Sequence, residues 1–376
     1  MAPLHRPTSV TLGGSVPDPA ELNDPAREWH RAMPYTRITD YGMEPADARE
    51  LLWRTANGED WTSAATEIGR RQLARSDQAA NRGRGVTARD AALAAAAALN
   101  VAQIPITFDE PQKRVLYEEF QSAVGRYAIH RGGLERLRID YADGTLEGWL
   151  VLPDDTVTGT VVAWGGLSGW GAAYLSAAEA LTARGLACIL AEGPGQGSTR
   201  LTSRIYGAEA TLTGYDRFVE FAATDRRLTD APVGVYGNSF GGMIAARVAA
   251  GNKLVSACAI NCAPSTLELP DIRTAREQIF AFVGTTDSSR ANEALGRLAF
   301  LPDRHSMSAP LLLLHGVADA LVTQDNASRF MAGSSHHDSS LLIWPDGEHT
   351  LYNHAQERDA VMADWFASRL GSGPPQ

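Results

Sequence analysis

The residues of this chain that are best suited to chemistry are a serine, an aspartate and a histidine, in that order. Ser239 lies in the run Gly237-Asn238-Ser239-Phe240-Gly241-Gly242, and Asp319 and His349 each follow an apolar run. A serine hydroxyl attacks a carbonyl carbon only when a base removes its proton and a third group orients that base. We therefore predict Ser239 as nucleophile, His349 as general base and acid, and Asp319 as the orienting carboxylate.

The serine has the sequence context of a nucleophile elbow. The apolar run Val233-Gly234-Val235-Tyr236 precedes it, and an alanine-rich helix is predicted from about Met243 to Ala250. G-x-S-x-G between a strand and a helix lifts the serine hydroxyl above the sheet edge. Glycine suits the flanking positions because such a tight turn leaves little room for a side chain.

The partners of the serine are predicted in loops that follow strands. The strand at 310–314 leads to Asp319, and the strand at 340–344 leads to His349. Doubly wound sheets build their sites at the carboxyl ends of strands, so these loops can meet near the serine. The alternative acids are Asp325 and Asp346. The other downstream histidines are interpreted as structural or surface residues: His315, His336, His337 and His354.

Two backbone N–H groups are needed where negative charge develops on the attacked carbonyl. The residue after the nucleophile, Phe240, supplies one of them. The second is expected from the loop after the predicted strand Thr160–Trp164, where Gly165-Gly166 can turn its amides inward. We predict Gly166 or Leu167 as that donor; a plain glycine-rich turn is the alternative.

These motifs together resemble one branch of the α/β-hydrolase superfamily. It is the branch of the 2,6-dihydroxypseudooxynicotine hydrolase family, the fermentation-respiration switch protein (esterase) family and fungal polyketide-shortening hydrolases. The resemblance rests on Gly165-Gly166, the Gly193–Gly197 loop, the Gly237–Gly242 turn, Asp319 and His349. It extends over the helical N-terminal region and so covers nearly the whole chain.

The resemblance implies an α/β-hydrolase fold, that is, a mainly parallel doubly wound sheet with an N-terminal helical domain and a cap insertion. It also implies carbon–carbon bond cleavage in some relatives and a homodimer through the N-terminal helical region. Two departures bear on it. Leu167–Gly171 replaces an acidic run common in related chains, and Glu192 replaces the usual aspartate. The first departure leaves open which residues contact the substrate.

The three predicted residues indicate acyl-group chemistry, but they do not determine which bond of the substrate is broken. We favour retro-Claisen cleavage next to a ketone in a hydrophobic, aromatic or polyketide-like substrate. The alternatives are a carboxylesterase or thioesterase, and an acyltransferase or cyclase. A carbon leaving group needs a helper, for which Glu268 in the cap is the candidate. Candidate aromatic contacts to the substrate, which core packing explains equally well, are Trp164, Trp170 and Tyr206.

Composition narrows the classes of partner. The chain has 376 residues, of which 44% are apolar and 21% charged, so it can bury a large core and a second, smaller domain. Its net charge of −10 argues against nucleic acid or an anionic membrane as a partner, which leaves a small-molecule substrate. Residues 1–14 lack the pattern of a leader peptide, and three cysteines lie in or beside apolar runs. A cytoplasmic protein without disulfides, metal or cofactor is therefore expected.

Five segments are predicted along the chain. They are an extended arm at 1–25, a helical lid or dimerisation domain at 26–133, the first part of the hydrolase core at 134–263, a cap insertion at 264–308, and the second part of the core at 309–376. Within the helical domain, Thr87 is predicted to cap an alanine-rich helix that ends near Leu99.

Overall fold

A computed structural model describes residues 24–207, 211–228 and 231–371. The arm predicted for residues 1–25 lies outside this range except for its last two residues. The described chain begins with six helices: α1 (Asp24–Ala32), α2 (Tyr35–Asp40), α3 (Pro45–Ala56), α4 (Trp61–Asn81), α5 (Gly85–Gln103) and α6 (Pro111–Arg131). They occupy the segment for which a helical domain was predicted.

The alanine-rich helix α5 is the centre of this helical region. It packs between α4 and α6, where its small side chains allow close approach of the neighbouring helices. The helix begins before the predicted cap, because the Ala88 N–H donates to the Arg84 carbonyl at 2.9 Å and so closes the first turn ahead of Thr87. It also continues past Leu99 to Gln103.

Among the described residues, eight strands form one sheet with the order β1-β2-β4-β3-β5-β6-β7-β8. The strands are β1 (Leu134–Tyr141), β2 (Gly144–Val151), β3 (Gly159–Trp164), β4 (Leu186–Glu192), β5 (Val233–Asn238), β6 (Val255–Asn261), β7 (Leu311–Gly316) and β8 (Ser340–Trp344). The hairpin β1–β2 pairs antiparallel to β4, and all later pairs are parallel. The predicted α/β-hydrolase fold class is confirmed.

Helices cover both faces of the sheet. They are α7 (Leu175–Thr182), α8 (Gly197–Leu201), α9 (Thr211–Thr224), α10 (Phe240–Gly251), α13 (Gln324–Ala332) and α14 (Ala355–Leu370), with short 3-10 helices at Gly171–Tyr174 and His349–His354. One apolar cluster joins the sheet to α7, α14 and the N-terminal helices. A second cluster joins its other face to α9, α10 and the cap. The three cysteines are free and buried within these layers.

The segment between β6 and β7 contains two further helices, α11 (Arg273–Val283) and α12 (Ser288–Leu298). The Phe282 ring of α11 packs edge-on against Phe240 with 4.9 Å between ring centroids. The predicted cap segment therefore touches the residue that follows Ser239. Across the described residues, none of the helices has the length and apolar character needed to cross a bilayer.

Candidate active site

Ser239, His349 and Asp319 lie in one chain of hydrogen bonds. The Ser239 Oγ is 2.9 Å from His349 Nε2, and His349 Nδ1 is 2.8 Å from Asp319 Oδ2. An ionised carboxylate only accepts hydrogen bonds, so Nδ1 carries the proton and Nε2 is free to accept one from the serine. The arrangement can pass a proton from the serine hydroxyl to the imidazole while the aspartate stabilises the resulting charge.

The serine is held in a left-handed backbone conformation. Its φ is 53° and its ψ is −127°, values that a residue with a side chain adopts only when the surroundings enforce them. A Cβ atom at Gly237 would meet the backbone of Gly241 and Gly242, which explains the glycine two residues before the serine. The Ser239 N–H donates to the Asn261 carbonyl at 2.8 Å, and this bond ties the turn to β6.

Asp319 lies three residues after the end of β7, and its side chain is fully buried. One carboxylate oxygen accepts from the N–H groups of Leu321 and Val322 at 2.8 and 2.9 Å, which leaves the other for His349. Burial alone would raise the pKa of Asp319, but the hydrogen bonds from His349 and the two amides outweigh it and lower that pKa. The carboxylate is thus kept ionised.

The alternative acids lie elsewhere. Asp325 is exposed on α13, and the largely exposed Asp346 pairs with His354 at 2.9 Å. Cys262 and His315 approach Asp319 closely enough to resemble a metal-ligand group. Both carboxylate oxygens of Asp319 already accept hydrogen bonds, so we interpret Cys262 and His315 as packing around this carboxylate.

The loop that carries His349 has an unusual backbone that is fixed from two sides. Thr350 and Leu351 have φ values of 55° and 59°, which side-chain-bearing residues rarely adopt. The Thr350 carbonyl accepts from the Asn261 side chain at 2.9 Å and from Arg358 Nη1 at 2.9 Å. Arg358 also forms a bidentate pair with Asp40 of α2, at 2.8 and 3.1 Å. The N-terminal region thereby supports the histidine loop.

We predict that Arg358→Met lowers the free energy of unfolding by about 3–5 kcal/mol, because it leaves the carboxylates of Asp40 and Asp359 buried without their cation. The Arg358 side chain is 3% exposed and its two carboxylate partners are 6% and 7% exposed. Urea unfolding of the wild type and the variant measures the difference.

Arg273→Met is the matched control for this measurement. Arg273 also bridges two parts of the chain, from α11 to Glu28 of α1, but it is 61% exposed. Its replacement is expected to cost about 1 kcal/mol or less. Equal losses from both variants would show that burial of the Arg358 pairs does not determine their contribution.

The glycine pair after β3 approaches the serine closely. A Cβ at Gly166 would lie 3.3 Å from the Ser239 Cβ and 3.6 Å from its Oγ, so a larger residue would crowd the nucleophile. The Gly166 N–H donates to the Tyr174 hydroxyl over a long 3.4 Å. Among the described residues, the Leu167 N–H donates no backbone hydrogen bond. Phe240 is the first residue of α10, where helix N–H groups lack partners within the helix.

Gln196, in the glycine-rich loop after β4, fixes the same pair. Its fully buried amide donates to the carbonyls of Gly165 and Gly166 at 2.9 and 3.0 Å. With both carbonyls held from this side, the peptide groups of the loop have a defined orientation. The glycine-rich loop after β4 therefore positions the predicted second N–H donor.

Glu192 connects this glycine-rich loop to the helical domain. It is 1% exposed and accepts hydrogen bonds from Tyr117 at 2.7 Å, Gln121 at 3.0 Å and the Ser198 N–H at 2.6 Å. Burial raises its pKa, which the Tyr117 and Ser198 hydrogen bonds oppose. The Glu192 side chain thereby joins α6 to the loop.

The short helix α2 contacts both loops of the site. Thr36 donates to Glu348 Oε2 at 2.6 Å, next to His349. Arg37 Nη2 donates to Ser168 Oγ at 2.7 Å, and its guanidinium lies over the Tyr352 ring at 5.5 Å. No pattern in the sequence marks these residues, since their partners lie more than a hundred residues away.

Four other residues were predicted as substrate contacts or as a helper. Trp164 is 1% exposed and donates to the Gly241 carbonyl at 2.8 Å, which fits core packing better than contact with a substrate. Glu268 is exposed, and within the described range it has no hydrogen bond or ion pair that would bring it to Ser239. Trp170 is buried but borders a cleft with Leu167 and Ser168. Tyr206 is half-buried and donates to Asp109 at 2.8 Å.

The sheet order and the strand–serine–helix turn define the fold of this chain as that of an α/β-hydrolase. More narrowly, the chain belongs to the prolyl oligopeptidase family, which its residues 173–373 match. A relative from Paenarthrobacter nicotinovorans, 2,6-dihydropseudooxynicotine hydrolase, is 27% identical over 194 residues, 50% of this chain. The match spans about half of that relative, 52% of its length.

Two solved structures extend the likeness to most of the chain. The crystal structure of 2,6-dihydroxy-pseudo-oxynicotine hydrolase matches with a TM-score of 0.79 at 18% identity, covering 91% of this chain and 98% of that one. The structure of AbyA5 matches with a TM-score of 0.67 at 18% identity, and the match covers 88% of this chain and 90% of the AbyA5 chain. The predicted resemblance to this branch is confirmed, and at these identities the structures show the fold.

Proposed function

We propose that the protein is a serine hydrolase in which Ser239, His349 and Asp319 act as a catalytic triad. The observation that carries the proposal is the unbroken hydrogen-bond chain from the Ser239 Oγ through His349 to the buried Asp319. The left-handed backbone of Ser239 supports it, because strain of this kind is kept where a fold must present a nucleophile.

The reaction follows from the positions of these groups. The Ser239 Oγ attacks the substrate carbonyl carbon as its proton passes to His349 Nε2. The N–H groups of Phe240 and Leu167 are proposed to stabilise the negative charge on the former carbonyl oxygen. His349 then gives the proton to the leaving group, which departs and leaves an acyl-enzyme. A water molecule, deprotonated by His349, then attacks the acyl-enzyme carbonyl. The bond to the Ser239 Oγ breaks as His349 returns the proton to that oxygen, and the carboxylic acid is released.

The substrate is proposed to be a hydrophobic ketone whose carbon–carbon bond next to the carbonyl is broken, and the leaving carbon is stabilised as an enolate. The relative named as a pseudooxynicotine hydrolase supports this class of substrate. We assign Glu268 no role in breaking this bond, because its side chain is exposed.

Two substrates distinguish this proposal from simple ester hydrolysis. The purified protein is incubated with 1-phenylbutane-1,3-dione and, separately, with p-nitrophenyl acetate, and products are followed by mass spectrometry. We expect the diketone to be cleaved into one carboxylic acid and one ketone. Protein first treated with a fluorophosphonate is the control, and it should lose both activities.

Cleavage of the ester alone would move the assignment to a carboxylesterase. A protein that cleaves neither compound and that the fluorophosphonate does not label would contradict the serine hydrolase proposal itself.

A further inference from the structure

A large cleft lies between α6, the β1–β2 hairpin and the turn that follows α8. Its volume is about 670 Å³, which is within the range of small-molecule sites in proteins. None of the described residues that line it belongs to the triad or to the loop at 165–168. The cleft is therefore separate from the site proposed for the reaction, and that reaction does not account for its charges.

The lining of this cleft is positively charged. It contains more arginines than carboxylates: Arg114, Arg136, Arg138 and Arg204, with Glu118 and Glu147. Guanidinium groups stay protonated in proteins, so the lining has a surplus of two positive charges. The whole chain, in contrast, has a net charge of −10. The cleft thus reverses the charge of the molecule locally, and such a surface attracts anions.

The arginines of the cleft are unequally paired. Glu147 is 3% exposed, and it is shared by Arg136 at 3.0 Å and Arg138 at 3.4 Å. Within the described ranges, Arg114 and Arg204 have neither an ion pair nor a side-chain hydrogen bond. The Arg114 Nε is moreover buried without an acceptor. Two guanidinium groups therefore remain for an anionic ligand.

Arg204 adopts a backbone conformation that favours a different residue type. Its φ is 57°, and its N–H donates to the Arg200 carbonyl at 3.1 Å, just past the end of α8. Glycine is the usual residue with a left-handed backbone after a helix, because it has no Cβ. An arginine here has a conformational cost, and strain of this kind is kept where the side chain has a function.

Gly125 departs from local preference in the opposite way. It lies inside α6, where glycine is less favourable than alanine. A Cβ at this position would meet no atom within 4 Å, so packing within the described chain does not require a glycine. Gly125 does, however, line the cleft. The missing side chain leaves the α6 wall of the cleft open to a ligand.

We propose that this cleft binds a phosphate monoester of a small organic molecule. A phosphate monoester carries nearly two negative charges at neutral pH, which matches the two surplus cations. Guanidinium groups bind phosphate oxygens through paired N–H donors, so Arg114 and Arg204 would hold the phosphate. The remaining volume accommodates the organic part of the ligand beside Trp149 and Leu201. The proposal is independent of the reaction proposed for Ser239.

Phenyl phosphate and phenyl sulfate test this proposal, because they share a ring but carry about two negative charges and one, respectively. Each is titrated into the purified full-length protein by isothermal titration calorimetry. Arg114→Gln and Arg204→Gln each remove one of the unpaired cations, and Gly125→Leu fills the open wall. Arg82→Gln is the matched control, since Arg82 is an exposed arginine after α4 and outside the cleft.

We expect one phenyl phosphate to bind per chain, with a Kd at least about ten-fold lower than that of phenyl sulfate. Arg114→Gln and Arg204→Gln should each raise the Kd by about ten-fold or more, because a charged hydrogen bond is lost. Gly125→Leu should abolish binding, and Arg82→Gln should bind as the wild type does. Urea unfolding checks that the variants remain folded.

Four results would overturn the proposal. They are the absence of saturable binding of phenyl phosphate, equal affinity for phenyl sulfate, an equal loss in Arg82→Gln, and unchanged binding in folded Gly125→Leu protein. The titration measures binding without turnover, so its outcome is distinct from that of the assays of the serine-dependent reaction.

Discussion

Replacing Ser239 by alanine is expected to lower kcat for p-nitrophenyl acetate roughly 10⁶-fold, the scale of loss seen when a triad nucleophile is removed. The Ser239 Oγ lies 2.9 Å from His349 Nε2, so its removal takes away the hydroxyl that is proposed to form the acyl-enzyme. Steady-state assays of the purified variant measure the loss, and fluorophosphonate labelling should disappear with it.

Ser256→Ala is the control for this prediction. Ser256 is an exposed serine on β6, so its loss removes a hydroxyl without touching the site. Its kcat should equal that of the wild type, and both variants should unfold at the same urea concentration as the wild type. A Ser239→Ala protein that keeps a substantial part of the activity would show that another group attacks the carbonyl.

An Asp319→Asn variant is expected to lose about four orders of magnitude in kcat. The asparagine amide can donate to His349 Nδ1, and the imidazole then carries its proton on Nε2 and cannot accept one from Ser239. The fold should tolerate the change, since the amide oxygen can still accept from Leu321 and Val322, as the carboxylate does at 2.8 and 2.9 Å. The same ester assay, at a pH where the wild type is most active, measures the effect.

Asp346→Asn provides the comparison. Asp346 also bonds a histidine, His354 at 2.9 Å, but its side chain is 75% exposed. We expect this variant to keep the activity of the wild type. If the large loss occurred instead in Asp346→Asn, Asp346 would be the orienting acid and the placement of Asp319 would have another purpose.

Local sequence patterns predicted the fold class and the neighbourhood of the serine. Apolar runs of strand length marked β3, β5 and β7, because a strand buried on both faces needs apolar residues throughout. The apolar run of β8 marked it as well, although that edge strand is partly exposed. Ser239, Asp319 and His349 could be chosen because each follows a strand of a parallel sheet, whose carboxyl ends share one edge. In the structure these three side chains lie in one chain of hydrogen bonds, and their catalytic roles are part of the proposed function.

Other parts of the site could not be predicted from sequence. Gln196 holds the glycine pair through a side-chain amide, and an amide has no distinctive spacing in a sequence. Thr36 and Arg37 lie in a short helix whose partners are 312 and 131 residues away. Glu268 was predicted to assist a carbon leaving group because it is a carboxylate in the predicted cap. In the structure its side chain is exposed, which a sequence pattern could not indicate.

The pairing of Asp40 with Arg358 also has a consequence for how the enzyme becomes active. These two side chains are separated by 318 residues, and the bond between Arg358 and Thr350 supports the histidine loop. Contacts between distant parts of a chain form late, because the chain must close a long loop before it gains from them. During synthesis α14 emerges after the other described elements, and its Arg358 completes a support to which Asp40 of α2 contributes. The histidine loop is therefore expected to reach its final position only after α14 has been made.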